Sequence, residues 1–344
     1  MHNLYPLLYN RCVYEVTEQE CGRGAVWSRA ATAGSQRYPV CWSGDPAADF
    51  DSLACTIRGG LSAGFSGMAL WSSDIGAYRG MPSARLYVRW AQFCLLCSHS
   101  RMHGDSPREP WVFGDEAFAI VRDYVRLRYR LFPYLYSLAY EAARTGLPVI
   151  RALALAFPDD PGGFDQDLQF MLGSALLVAP IYDDSDARRV YLPPGVWVDF
   201  WSGERLHGPA HVRVDAPLDR LPLYVRAGAI VPTMPPADRI PDGLIDPLIV
   251  EVYPAECISA ALHEDEGTTV YEGAFDGERL TLSWSGGPER AQVLRLHGVA
   301  HVRAVTFDGA PLSDWSSAEG TIEVRTPRSR SGLLMVECVP SVGV

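Results

Sequence analysis

The feature that most restricts the fold is a change of texture at Pro148. Before it, short apolar runs alternate with amphipathic stretches of helical period, the pattern of successive βα units. After it, only short β-like runs separated by turn residues remain. Such a chain divides, with parallel strands and their helices first and antiparallel sheets second.

In the first region, residues 26–29, 40–42, 68–71 and 97–101 read as four strands. Phe50, Leu53 and Ile57 follow helical spacing, as do Leu86, Trp90, Phe93 and Cys94. A longer helical stretch covers 115–145, where Pro133 should kink or split it and Gly146 suits its end. Beyond Pro148 the clearest strands are 176–181, 196–201 and 223–230. A proline-rich linker follows at 235–243, and runs near 248–253, 268–271, 280–284, 293–296, 321–324 and 333–338 have the spacing of a sandwich. The expected parts are a βα part over 1–150, a proximal β domain over 151–236 and a distal β-sandwich over 237–344.

With 344 residues, 48% hydrophobic and 21% charged, the chain is of ordinary globular composition. Its net charge of −11 favours neither nucleic acid nor an anionic membrane surface as partner. All 30 basic residues are arginine, which excludes Schiff-base chemistry, a pyridoxal-phosphate anchor and a Walker lysine. The eight cysteines are sparse and irregular, no secretory signal is visible at the N-terminus, and no apolar run reaches about 18 residues. Reduced thiols and a cytoplasmic location are the expectation.

In βα barrels the loops after the strands build the site. Here Arg29 closes the first strand, Trp42-Ser43-Gly44-Asp45 the second, Trp71-Ser72-Ser73-Asp74-Ile75-Gly76 the third, and Ser98-His99-Ser100-Arg101-Met102-His103-Gly104 the fourth. Aromatic faces beside carboxylates, an arginine and a histidine suit a neutral polyhydroxylated ligand, whose rings have apolar faces and whose hydroxyls need donors and acceptors. Asp45 has two readings at this stage, a reactive carboxyl or an N-cap for the helix that begins near Phe50. His99 and His103 lack a third ligand for zinc. Cys94 and Cys97 read as buried thiols, and 263–267 as a polar hairpin turn rather than a calcium loop.

The segment RAATAGSQRYPVCWSGD (29–45), with WSSDIG (71–76) and SHSRMHG (98–104), resembles glycoside hydrolase family 31, the retaining α-glucosidases and α-xylosidases. The likeness continues through PREPW (107–111), 176–180 and YLPPGVW (191–197). It implies the C-terminal half of a (β/α)8 TIM barrel followed by two β-sandwich-like domains, with no cofactor and no metal. It implies that Asp45 is the general acid/base and that Arg29, Trp42, Asp74, Tyr78 and His103 line the sugar subsite. The implied partner is an α-linked oligosaccharide or glycoside, with the 98–104 and 29–40 segments closer to the xylosidase branch.

One element of the family pattern is missing. The nucleophilic carboxylate belongs to a K-x-D-x-G-E-like motif at the end of the fourth barrel strand, and no such motif occurs here. The family's sequence just after that strand begins to match at Met1, which implies an N-terminally truncated member, inactive by itself. Glu15, Glu18 and Glu20 read as a solvated surface instead of replacements. An open half-barrel is expected to self-associate or to pair with a complementing N-terminal half. A non-catalytic sugar-binding protein and a split-barrel subunit are the alternatives.

Overall fold

The computed structural model describes residues 1–318 and 320–339, so the last five positions of the expected 237–344 segment lie outside it. Two compact units are present. One contains Met1–Val125, Glu141–Pro194 and Gly208–Leu223, and the other contains Arg126–Tyr140, Gly195–His207 and the chain from Tyr224 onward.

The first unit opens with helix α1 (Leu4–Cys21), ended by Gly22 in the left-handed region at φ 74°. Leu4, Tyr5, Leu8, Tyr9 and Val16 are all exposed on it, so no buried apolar stripe announces the helix. Glu15, Glu18 and Glu20 face solvent on it, as expected.

Strands β1 (Cys41–Trp42) and β2 (Trp71–Ser72) pair in parallel, Cys41 opposite Trp71. The flanking segments expected as strands shrink to single parallel bridges, Ser28 to Cys41 and Asp74 to Arg101. On one side backbone bonds still join the segments, Val26 N–H to the Pro39 carbonyl at 3.1 Å, Ser28 N–H to that of Val40 at 2.8 Å and Trp42 N–H to that of Ser28 at 3.2 Å. On the other, the Ser98 hydroxyl takes over Trp71, accepting from its N–H at 2.8 Å and donating to its carbonyl at 2.7 Å. The four segments are nevertheless adjacent and in chain order, so their C-terminal ends face one way.

Helix α2 (Phe50–Phe65) covers β2 with Leu53, Ile57 and Leu61 buried. Gly60 permits the contact, since a Cβ there would lie 2.9 Å from the Trp71 ring. Helix α3 (Ala84–Cys94) is capped by Ser83 and buried from Leu86 to Cys94. Its Trp90 donates to the Ser73 Oγ at 3.0 Å, and Cys94 and Cys97 are buried thiols. Within the same helix Arg89 is fully buried. Its guanidinium donates to the carbonyls of Ala216 at 2.6 Å, Arg220 at 2.9 Å and Pro217 at 3.3 Å, and lies 3.3 Å from Asp186.

The long helical stretch splits into α4 (Asp115–Arg130) and α5 (Phe132–Thr145). The break falls where the Pro133 ring would meet the carbonyl four residues earlier, and Gly146 at φ 79° ends α5. In the first unit β3 (Ile150–Ala152), β4 (Phe170–Leu172) and β5 (Leu176–Val178) form an antiparallel meander. The chain continues through β6 (Ala187–Asp199), β7 (Arg205–Asp215) and β8 (Leu223–Arg226).

In the second unit, Trp197 of β6 stands opposite Arg226 of β8. A sandwich follows, built from β9 (Ile230–Thr233), β10 (Leu248–Val252), β11 (Ile258–Glu264), β12 (Gly267–Phe275), β13 (Arg279–Gly286), β14 (Gln292–His297), β15 (Val302–Phe307), β16 (Ala310–Pro311), β17 (Trp315–Ala318), β18 (Thr321–Arg325) and β19 (Gly332–Cys338). One sheet has the order β17-β18-β14-β10-β9, the other β11-β12-β13-β19-β15-β16. They share a core containing Leu248, Val250, Leu294, Ile322, Leu282, Trp284 and Val336. The expected hairpin turn falls at Asp265-Glu266, between β11 and β12. Strand β9 lies before the proline-rich linker yet pairs with β10 after it. No helix among the described residues is long and apolar enough to cross a membrane.

Candidate active site at the strand ends of the first unit

Asp45 follows β1, and its Oδ2 lies 3.1 Å from the Arg29 Nη1. The helix-cap reading is excluded, because the cap of α2 is Asp49, whose carboxylate accepts from the Ser52 N–H at 2.7 Å. Asp45 is left as a carboxyl with 21% of its side chain exposed, held by an arginine that is 62% exposed. It can meet a ligand while keeping a fixed place.

Asp74, just after β2, is fully buried, and burial pushes its carboxyl above the ordinary carboxylate range. The Arg101 guanidinium counters this, with its Nε 2.5 Å from Oδ1, and the charge of His103 acts in the same direction. The Asp45 carboxylate acts the other way, so Asp45, Asp74 and His103 share one electrostatic neighbourhood. Arg101 also lies over the Trp42 ring at 4.7 Å and the Trp27 ring at 5.5 Å. The Trp42 indole donates to the Gly44 carbonyl at 3.1 Å, which turns the chain just ahead of Asp45. The Tyr78 and His103 rings meet at 5.3 Å. Contacts or charges therefore link all six residues singled out from sequence: Arg29, Trp42, Asp45, Asp74, Tyr78 and His103.

Two further members of the cluster, Arg101 and Trp27, have no role assigned by the motifs. Arg101 stands two residues before His103, and the signal for it was Asp74, since a carboxylate at a packed strand end needs a cation. Trp27 is two residues from Arg29, and extended chain puts such neighbours on one face.

The loop that carries Tyr78 has no regular structure of its own, and the buried Arg108 holds it. Its guanidinium donates to the carbonyls of Ala77 at 2.9 and 3.0 Å, Tyr78 at 3.3 Å and Gly80 at 2.7 Å. Gly76 supplies the turn at φ 80°, with a Cβ position 2.8 Å from Tyr87 that no side chain could use. Arg108→Met leaves the Ala77 carbonyl without a donor, while the Tyr78 and Gly80 carbonyls keep the Asp105 N–H at 2.8 Å and the Ser106 hydroxyl at 3.1 Å, and is expected to cost about 1–3 kcal/mol. A urea midpoint and limited proteolysis across 76–80 would measure this; an unchanged midpoint with no new cleavage would contradict the anchoring role.

The cluster lies at strand ends of the kind that carry the chemistry of barrel enzymes. The model for the glycosyl hydrolases family 31 TIM-barrel domain matches residues 1–138, and that for the family's C-terminal domain matches 146–231. An α-xylosidase of Emericella nidulans is 38% identical over 67% of this chain and 31% of its own length. An α-xylosidase of Saccharolobus solfataricus is 36% identical over 78% of this chain and 38% of its own length. Among solved structures, a Flavobacterium johnsoniae GH31 dextranase complexed with isomaltotriose superposes with a TM-score of 0.92 at 31% identity, covering 98% of this chain and 49% of that one. The chain thus spans about a third of the length of these two α-xylosidases. Matched in order by both family models and overlaid almost throughout by a solved member, this half-barrel with its β domains belongs to glycoside hydrolase family 31.

Proposed function

We propose that the chain is the acid/base-bearing portion of a retaining α-glycosidase that removes terminal α-linked xylosyl residues, with glucosyl as the second choice. The observation that carries this is Asp45, held by Arg29 at a strand end, free of the helix cap, and beside the buried Asp74–Arg101 pair. The names of the α-xylosidase relatives and the sugar bound to the dextranase support the substrate class.

In this reading Asp45 gives its proton to the glycosidic oxygen as the bond from that oxygen to C1 breaks. A second carboxylate takes C1 as a covalent glycosyl ester. Asp45, now a carboxylate, then removes a proton from water as the water oxygen attacks C1, releasing the sugar and restoring both carboxyls. Arg29 and His103 hold ring hydroxyls, Asp74 acts beside them through the Arg101 it pairs with, and Trp42 and Tyr78 offer apolar faces. We assign the second carboxylate to a segment other than the one described and the three-part division to 1–150, 151–236 and 237–344. The exposed apolar residues of α1, Leu4, Tyr5, Leu8 and Tyr9, suit such a complementing half as partner.

The isolated chain is expected to bind methyl α-xyloside saturably in a calorimeter but to leave aryl α-xylosides and α-glucosides intact. Turnover at about 1 s⁻¹ or faster would overturn the assignment of the nucleophile to another segment. Absence of any saturable sugar binding would count against the site itself.

A further inference from the structure

The second unit holds a cavity of about 200 Å³ that takes no part in the chemistry above. It is lined by Leu127, Leu131, Phe200 and Val231 on the apolar side, and by Arg130, Glu251, Tyr253 and His297 on the polar side. Glu251 is at its base, with 8% of its side chain exposed. Its carboxylate accepts from Arg130 and Arg295 at 3.3 Å each, and its other oxygen lies 2.8 Å from the His297 ring. Burial opposes its ionisation, but the His297 hydrogen bond and the charges of His297, Arg295 and Arg130 outweigh that and hold the carboxyl below its ordinary range.

The polar side of the cavity is rich in donors and poor in free acceptors. Glu251 already receives three side chains, and Thr233 adds a longer contact at 3.5 Å. Arg130 commits one guanidinium nitrogen to Glu251 and stays partly exposed. Tyr253 is 5% exposed and stacks on His297 at 4.4 Å, and its hydroxyl has no hydrogen-bond partner among the described residues. The hydroxyl belongs to a residue that lines the cavity and is free to donate to whatever occupies it. Burial, with Glu251 close by, pushes the Tyr253 phenol upward, so it keeps its proton and can donate.

Charge points the same way. Glu251 and Glu323 are shared among Arg130, Arg295 and Arg325, three guanidiniums against two carboxylates in a chain of net charge −11. A polyol would bring hydroxyl donors to a place with few acceptors left. An anion brings acceptors and the missing charge.

We infer that this cavity is a binding site for a small organic carboxylate with a compact apolar body, its oxygens received by Arg130 and the Tyr253 hydroxyl and its body seated against Phe200, Leu127, Leu131 and Val231. The ligand lies in the second unit, so the site works whether or not the glycosidase reading holds.

Benzoate is the probe, with benzyl alcohol as its neutral shape match and methyl α-xyloside as the sugar control, titrated calorimetrically into the full chain. Benzoate is expected to bind at one site with a dissociation constant on the order of 1 mM, as its few atoms allow, and benzyl alcohol at least about tenfold more weakly. Tyr253→Phe should weaken benzoate about fivefold and Arg130→Met should remove binding. If Arg130→Met does not fold, Tyr253→Phe decides, because it deletes a single oxygen. No saturable benzoate binding up to about 10 mM would overturn the inference. So would unchanged affinity in Tyr253→Phe, or displacement of benzoate by methyl α-xyloside at equal strength.

Discussion

Asp45→Asn, assayed in the chain combined with the nucleophile-bearing half of a related barrel, should lose about 10³–10⁴-fold in kcat/KM on xylosides with sugar or alkyl leaving groups. On a dinitrophenyl xyloside the loss should stay under about tenfold. The contrast follows from what the carboxyl does: an alkoxide is too basic to depart without a proton, whereas a dinitrophenolate leaves unaided. The ratio kcat/KM isolates this step, because it reports the path from free enzyme and substrate to the first transition state and is blind to later hydrolysis of the ester. The amide keeps the size of the side chain and can still meet Arg29, whose Nη1 stands 3.1 Å from Oδ2, so packing should barely change. Equal losses on both leaving groups would show that Asp45 positions the sugar and is not its acid.

The largest stability effect is expected at Arg89, far from any sugar. Arg89→Met should destabilise the first unit by about 3–5 kcal/mol in urea denaturation. The methionine stem can replace most of the apolar packing, but the carbonyls of Ala216 and Arg220 would lose the Arg89 donor inside the protein, while that of Pro217 keeps the Arg220 N–H at 2.8 Å. Burial draws the pKa of Arg89 down to about 10, which still leaves it charged at neutral pH and able to serve Asp186. Lysine is no substitute, because one ammonium cannot reach partners that a planar guanidinium serves in two directions. A loss below about 1 kcal/mol would mean that water enters and satisfies the freed carbonyls.

The half-barrel was legible because its signals are local. Helices α2 and α3 announce themselves by apolar spacing, and the split before α5 by Pro133. What stayed hidden depends on partners distant in the chain. Whether residues 97–101 form a strand hangs on the Ser98 hydroxyl, which takes the Trp71 N–H and shares the Trp71 carbonyl with the His99 N–H, so that one bridge remains. Helix α1 hides because its apolar residues point outward. The ambiguity at Asp45 is not resolved by spacing, since Asp45 and Asp49 both precede Phe50 and both are good caps; the Ser52 N–H, donating to the Asp49 carboxylate, decides for Asp49. Arg101 belongs to the same class, being visible only once a buried carboxylate at Asp74 makes a cation necessary. The Glu251 cluster draws on α4, β9, β10 and β14, and no single window of sequence contains it.

The stacking of Arg101 between Trp27 and Trp42 also gives the protein a built-in optical signal. A guanidinium lying on an indole alters its emission, and any ligand that slides across Trp42 or shifts Arg101 will change the light those two residues give out. Trp71, Trp90, Trp197 and Trp284 are sealed in cores and supply a steady background. Occupancy at the strand ends can therefore be followed by fluorescence in the native chain, without a dye.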